Sequence, residues 1–571
     1  MKAPVGRMAQ FPQPTFGELF TPKLVTVLRE GYGLANLKAD AVAGLTVAIV
    51  ALPLSMAIAI AAGVSPAQGL YTAIVGGFLV SAFGGSRFQI GGPAGAFIVL
   101  IAATLQAHGL DGLLLATILS GLILIAAGFL RLGTYIKFIP YPVTVGFTAG
   151  IAVIIFASQL KQLLGLTLSA PEPGPLLEKV PVLWASLPTA EPTTVMLVLA
   201  TVAIIAGLKK VRPHWPGLLI AVSVATLAAT VLDLPVATIG SEFGGIPGTL
   251  SSPSLPAISM AKLKAVLPSA IAFALLGSIE SLLSAVVADG MTGRRHRSNC
   301  ELVGQGIANM ASGLFGGMSV TGTIARTATN VRAGAHGPIA GMIHAILLLG
   351  FMLVAAPLAG FIPLASLAGV LAVVAWNMIE TQAIATLIRA SWGDAAVLIT
   401  TFLLTIFRDL TEAIVVGFAL GSVLFIQRMS KTTAIESHAP PLVPEDAADA
   451  RGPDRTPYDE TMGKDPNVVV YRISGAFFFG AAASIGSVLD RIADTHRALI
   501  VDFAAVPFLD STAANTIESL AHKAGRKGVR VILTGTSHGI RQELFAHAIK
   551  PPLVGYDRTI ETALKKLRRQ A

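Results

Sequence analysis

From residue 42 to residue 427 the chain alternates long apolar runs with short stretches of Gly, Pro and charge. The runs are rich in Ala, Leu, Val and Gly and lack the strict alternation of a barrel strand, so they predict helices that cross a lipid bilayer. They fall near 42–61, 67–84, 93–107, 112–130, 140–160, 193–208, 216–232, 266–288, 299–315, 321–332, 336–356, 363–378, 395–407 and 409–427. Runs three and ten are too short to cross alone, since a spanning helix needs roughly 20 residues.

The pattern repeats. Phe83-Gly84-Gly85 closes run two and Phe315-Gly316-Gly317 closes run nine, 232 residues later. Each leads into a Gly-rich, partly β-like stretch, FQIGGPAGAF (88–97) and MSVTGTIART (318–327), that opens a short helix. Seven runs per repeat is odd, so the two halves, about 42–232 and 266–427, should have opposite orientation. Paired interrupted helices in inverted halves are a sequence pointer to a transporter's central site.

Charge tests this topology. With a cytoplasmic N-terminus and fourteen alternating spans, the inner loops hold Arg87, Arg131, Lys137, Lys209, Lys210, Arg212, Arg294, Arg295, Arg297, Arg332, Arg389 and Arg428. The outer loops keep Lys161, Lys179, Lys262, Lys264 and a borderline Arg408. That asymmetry is what the positive-inside rule requires, and one span fewer would reverse it.

Composition agrees. Of 571 residues 53% are hydrophobic and 13% charged, against about 25% charged in soluble domains, so lipid must solvate most of the chain. The net charge of +9 reads as topology signals and does not call for nucleic acid. A lone cysteine, Cys300, excludes intramolecular disulfides and cysteine-rich metal sites. Residues 1–38, with Pro12, Pro14 and Pro22, lack the apolar core of a cleavable signal. Residues 429–465 are polar and rich in Pro and Asp, a linker. From 466 strand patterns at 467–473, 498–505 and 529–537 alternate with a helix at 511–525, implying a small cytoplasmic α/β domain over 466–571. The membrane domain is thus 39–428, preceded by a cytoplasmic segment.

Two charged residues lie inside the apolar runs. Glu280 sits in 266–288 and Arg326 in the Gly/Thr-rich 316–330. Each costs roughly 2.5–3.5 kcal/mol at mid-bilayer, so such residues mark function. The carboxylate suits a proton or cation, and the guanidinium an anion.

The stretches VAGLTVAIVALPLSMAIAIAAGVSPAQGLYTAIV (42–75), GGSRFQIGGPAGAF (84–97) and LLGSIESLLSAVVADGMTGRRHRSNCELVGQG (275–306) resemble the sulfate permease family. VDFAAVPFLDSTAA (501–514) resembles the strand-loop-helix of a STAS domain. The resemblance implies an inverted 7+7 membrane domain like that of nucleobase/ascorbate symporters, with a mobile core, a gate and a homodimer. Residues 279–306 and 324–335 look most like bacterial C4-dicarboxylate transporters for succinate, fumarate and aspartate.

In that fold the starts of helices three and ten face each other near the midplane. Each presents unpaired N–H groups and about half a positive charge, an anion receptor without a cationic side chain. Gly91, Gly92 and Gly322 would admit close backbone approach. Pro93 and Ala94 open helix three, with Pro93 in its first turn. Thr321 and Thr323 offer hydroxyls, and Arg326 a bidentate charge. Relatives place a serine where Ala325 stands, so one donor is lost. Arg326 is expected either on the anion or paired to Glu280. Ser284, one turn beyond Glu280, would bond its carboxyl or join a cation site. Sodium-coupled bicarbonate relatives tend to carry Asp and Thr at these two places, so Glu280 and Ser284 favour protons. Leu54 occupies a position often filled by glutamine, which disfavours animal-type halide or oxalate exchange, while Ser55 stays available.

His108 and His344 have no second ligand at metal spacing and are read as packing or interfacial. Ser511, in Asp510-Ser511-Thr512, matches the phosphorylated serine of anti-sigma antagonists; the plain alternative is a helix N-cap. No Walker motif and no nucleophile–base set appears, so neither pumping nor enzymatic hydrolysis is indicated.

The expectation is a multi-pass protein of the bacterial inner membrane, both termini cytoplasmic, moving a small anion with H+ by elevator-like motion. Sodium-coupled or uncoupled bicarbonate, chloride or sulfate transport is the alternative. A nucleobase symporter, or a regulator whose STAS domain docks a cytosolic partner, is less consistent with Arg326 and the half-helices. No cofactor is expected; the partners are the anion, lipid and a second copy.

Overall fold

The computed structural model describes residues 15–136, 139–168, 176–212, 215–408, 410–432, 434–437, 468–479 and 497–569. The chain divides into two compact units, Met1–Phe418 and Ala419–Ala571.

The first unit is helical. Its elements are α1 (Phe16–Phe20), α2 (Lys23–Arg29), α3 (Leu34–Ala61), α4 (Pro66–Tyr71), α5 (Gly77–Phe83), β1 (Gly91–Gly92), α6 (Ile98–Phe129), α7 (Gly133–Ile136), α8 (Tyr141–Leu164), α9 (Leu176–Ser186), α10 (Pro192–Val211) and α11 (Gly217–Val231). The second half holds α12 (Ile239–Phe243), α13 (Met260–Thr292), α14 (Ser298–Leu314), β2 (Thr321–Gly322), α15 (Ile324–Arg332), α16 (Ile339–Ala359), α17 (Leu364–Met378), α18 (Thr381–Ala390), α19 (Trp392–Phe407) and the start of α20 (Leu410–Thr432), whose later residues fall in the second unit. Every apolar run is helical, and among the described residues nine helices are long and apolar enough to cross a membrane. Large apolar side chains such as Met196, Leu199 and Val354 are 62–83% exposed, a surface that suits lipid and not water.

Runs three and four form one long element, broken at Gly109, whose φ of 67° a side chain would strain. The second helix holds a π-turn over Thr72–Gly76 between α4 and α5. Gly76 and Gly77 in that stretch let Val320 and the Gly91 carbonyl lie directly on the helix, since an added Cβ would approach them to 2.8–2.9 Å. α6 and α14 cross with Gly121 and Gly306 back to back, each facing the other's carbonyl. Small residues at such crossings let helices pack where no hydrophobic drive exists.

The halves interlock reciprocally. Glu301 of α14, fully buried, accepts from the Gly85 and Ser86 N–H groups after α5, at 2.8 and 3.0 Å. In the other half Thr72 Oγ1 accepts from Met318 N–H after α14, at 2.8 Å.

The N-terminal segment belongs to this unit. Arg297 Nη1 donates to Thr21 O and Thr26 Oγ1, each at 2.8 Å. Arg87 pairs with Glu30, and Lys23 N–H donates to Gly84 O at 3.0 Å. Two arginines that the charge pattern marks as topology signals thus also bind α1 and α2, which apolar periodicity does not reveal.

In the second unit five strands run β3 (Ala434–Ser437), β4 (Val468–Ser474), β5 (Ala498–Ala505), β6 (Arg530–Thr534) and β7 (Gly555–Asp557), in that order across the sheet. Only the β3–β4 pair is antiparallel. Helices Ser511–Arg526 and His538–Ala546 supply apolar residues to one core cluster, and Ile560–Arg569 to a second. The helix after β5 is capped by Asp510, whose side chain accepts from Ala513 N–H at 2.9 Å. Ser511 is therefore the first helical residue and not the cap, and its exposed hydroxyl donates to Glu543 at 2.9 Å.

Replacing Gly306 with Leu should force α6 from α14 at an overpacking cost of about 1–3 kcal/mol. Thermal unfolding of the purified full chain should fall by several degrees for Gly306→Leu and barely move for Gly350→Leu, whose site has open space around it. Equal shifts would refute the packing argument.

Candidate anion site

β1 and β2, one from each half, pair antiparallel with Gly91 opposite Gly322 and Gly92 opposite Thr321. Antiparallel pairing of equivalent segments is what halves of opposite orientation produce. Thr323 N–H continues the ladder by donating to Ile90 O at 3.0 Å, and Ile90 N–H donates to Thr327 Oγ1 at 3.1 Å. Beyond β1 a short 3-10 turn, Gly95–Phe97, feeds α6; beyond β2, Thr323 caps α15. Two helix starts therefore flank one point. Pro93 lies outside the helix, two residues ahead of the first turn and not inside it as its position suggests.

Arg326 reaches this point from the first turn of α15 and is 1% exposed. Its Nη2 donates to Ser55 Oγ and Pro93 O, both at 3.2 Å. Nε and Nη1 are buried without a partner. A side chain at Gly92 would collide with Nη1. Gly92 is thus required so that the guanidinium can lie on the strand, rather than so that a ligand can touch backbone. Gly322 does the same for the Gln89 side chain. Ser55 is fully buried on α3 beside Leu54; Leu54 and Ala94 are 7% and 3% exposed. Ile324 is 38% exposed and Ala325 exposed, so one side of the α15 start is open while the Arg326 side is closed.

α13 borders the crossing through residues spaced for one helix face. Thr321 Oγ1 donates to Gly277 O at 3.1 Å. Ser281 Oγ accepts from Gln89 Nε2 at 2.6 Å and donates to Glu301 Oε1 at 3.2 Å. Ser284 Oγ donates to Thr327 Oγ1 at 3.0 Å. Glu280 is half-buried on this face, and its Oε2 is buried with no partner.

Several expectations change here. Among the described residues Glu280 and Arg326 form no ion pair within 4 Å, so the guanidinium is not neutralised internally. Ser284 bonds Thr327, not the Glu280 carboxyl. The hydroxyls of Thr321 and Thr323 donate to backbone carbonyls, which bind their protons before any ligand arrives. Gln89, Ser281, Thr327 and Glu301 escaped sequence reasoning; the one signal was the Ser281/Ser284 spacing in an apolar run. His344 is also fully buried, with both ring nitrogens unpartnered, which does not match an interfacial histidine.

The sulfate permease family pattern matches residues 37–401, and the STAS domain pattern matches 461–563. The chain belongs to the sulfate permease family. It is 40% identical over 511 residues to "Putative sulfate transporter YvdB" of Bacillus subtilis, covering 89% of this chain and 93% of that protein. It is 33% identical over 524 residues to the bicarbonate transporter BicA of Synechocystis, covering 89% and 90%. The structure of murine Slc26a9, an anion transporter in the inward-facing state, superposes with a TM-score of 0.82 at 18% identity, covering all of this chain and 96% of that one; at that identity the likeness concerns fold. This sulfate permease family member is accordingly a multi-pass anion transporter, not an enzyme, with a STAS domain at its C-terminal side. Neither curated relative carries a dicarboxylate in its name.

Gly92→Ala should displace the guanidinium and weaken anion binding to the purified transporter by about tenfold or more, the loss of one charged hydrogen bond. Gly350→Ala serves as control. Calorimetric titration that finds the two alike would show that Gly92 has no such task.

Proposed function

We propose that this family member takes up a small oxyanion together with a proton, binding the anion between the starts of the α6 and α15 half-helices. The observation that carries this reading is Arg326, sealed from solvent with two of its nitrogens, Nε and Nη1, left unpartnered. A permanent charge in that setting is stable only when paired, and the nearest side chains offer it no carboxylate. A mobile anion fills that role, assisted by the partial positive charges at two helix starts.

Glu280 supplies the coupling. It is not consumed by Arg326, and one of its oxygens is unpartnered. It sits on the helix face that touches both crossing strands through Thr321 and Gln89, via Gly277 and Ser281. Protonating it removes a negative charge close to the anion's path, so proton and anion would bind together. Sulfate and bicarbonate, named in the relatives, both present oxygens at the spacing a guanidinium fork recognises, and a C4-dicarboxylate has the same end group. Orientation follows the positive-inside count, with both termini cytoplasmic in the plasma membrane. Motion would be an elevator-like shift of the half-helix-bearing core against a gate, in a homodimer. Ser511 remains a candidate STAS modification site because its hydroxyl is exposed, though it is engaged by Glu543.

Two outcomes test this in proteoliposomes. Glu280→Gln should abolish uphill uptake driven by a pH gradient while leaving anion exchange intact; undiminished accumulation would remove Glu280 from coupling. Arg326→Ala should raise the half-saturating anion concentration at least tenfold, as expected for a charged hydrogen-bonded pair contributing about 1.5–3 kcal/mol. Running labelled sulfate, bicarbonate and succinate side by side identifies the substrate. An unchanged half-saturation for all three would place the site elsewhere.

A further inference from the structure

The two half-helix starts beside Arg326 are unequal. At α15, Ile324 and Ala325 are exposed, so that start is open. At the start of α6, Ala96, Phe97 and Ile98 are at most 2% exposed, so that start is closed. Yet a cavity of about 790 Å³ lies just beyond it, lined by 60–63 at the end of α3, 98–107 of α6, 154–162 of α8, 176–179 of α9 and 405–408 at the end of α19.

The divider between cavity and guanidinium is built by α8. Glycines fix one of its faces to α19, since side chains added at Gly146 and Gly150 would strike Leu398 and Thr405. Phe147, Ile151 and Ile155 recur every four residues and so form a second, bulky stripe. All three are at most 6% exposed, and they share one apolar cluster with Phe97, Ile98, Leu54 and Ala94. Leu54 and Ala94 adjoin in sequence Ser55 and Pro93, which hold the Arg326 guanidinium. Ile155 stands at the boundary: its neighbour Ile154 lines the cavity, while Ile155 itself is fully buried. A Cβ added at Gly95 would come within 2.8 Å of Ile155 Cδ1, so this side chain lies directly on the backbone that leads into α6. An aliphatic constriction sheds water, and an ion there loses its hydration without replacement. Gly95 also gives Ile155 no side chain to hook, so the two surfaces can slide past one another.

We infer that Ile155 is a gating residue: its side chain, seated on Gly95, is the barrier that keeps the cavity and the Arg326 site from joining. A carrier that opened to both faces at once would let its anion run down the membrane potential without a proton. Ile155 therefore maintains coupling although it touches neither the guanidinium nor Glu280. The inference rests on the reading above only in taking the gated solute to be the anion bound at Arg326.

The full chain in proteoliposomes tests this, with equal pH on both faces, a potassium-diffusion potential and labelled sulfate as the probe. Ile155→Ala should raise potential-driven sulfate flux about tenfold or more over the parent protein, and should abolish accumulation driven by a pH gradient. Ile155→Leu, which conserves volume, should do neither. Gly95→Val should by itself slow pH-driven uptake, because its branches press on Ile155. Combined with Ile155→Ala it should refill the gap and return the leak to the parent level. An unchanged leak in Ile155→Ala, an equal leak in Ile155→Leu, or unimpeded uptake in Gly95→Val would each overturn the gate. Should Ile155→Ala fail to fold, the Gly95→Val arm decides. Adding Arg326→Ala to Ile155→Ala separates the two readings. Loss of the leak supports both, whereas a leak that persists keeps Ile155 as the gate and removes Arg326 from the anion's path.

Discussion

Breaking a helix inside lipid frees N–H and C=O groups that no water can satisfy, at a cost of several kcal/mol each. This chain breaks two, and the breaks satisfy one another. Gly91–Gly92 pairs with Thr321–Gly322, and side chains bond several of the neighbouring groups. Asn330 Nδ2 donates to Phe88 O at 2.9 Å, and Asn309 brackets Val320, donating to its carbonyl and accepting from its N–H at 2.8 and 3.1 Å. Neither half can hold its broken segment alone in an apolar medium. The central site is thus a consequence of how the backbone is satisfied, and the crossing brings the two helix starts together.

The guanidinium of Arg326 lies on this crossing because Gly92 has no side chain and because Ser55 and Pro93 each accept one hydrogen bond. Two donors remain. Glu280 lies on the neighbouring helix face but does not quench them. In the proposed reading, a positive group kept for a solute and an acid kept for a proton respond to one another through the field rather than by direct contact. Had they formed an ion pair, each would have been spent on the other.

Much of this was legible in the residues. Phe83-Gly84-Gly85 and Phe315-Gly316-Gly317 announced both crossings, and the short third and tenth runs announced the half-helices, because glycine clusters and helix length are local signals. Arg326 and Glu280 stood out as charges in apolar stretches. The polar residues that bind the crossing did not. Gln89, Ser281, Thr327 and Glu301 are single positions whose partners lie 20 to 237 residues away, so no periodicity encodes them. Helical spacing offers Ser284 to the Glu280 carboxyl or to a cation site, and cannot see that Thr327 approaches from another helix. The cap at Asp510 and the place of Pro93 were each missed by one or two residues, the usual scale of error where the boundary depends on tertiary contacts.

The most direct test is to locate the anion itself. Selenate, an oxyanion with the shape of sulfate and a strong anomalous signal, can be soaked into crystals of the full chain. The account predicts a peak within hydrogen-bond distance of Arg326 Nη1 or Nε and beside the starts of both half-helices. A peak elsewhere, with those two nitrogens bonded to a protein carboxylate, would contradict it.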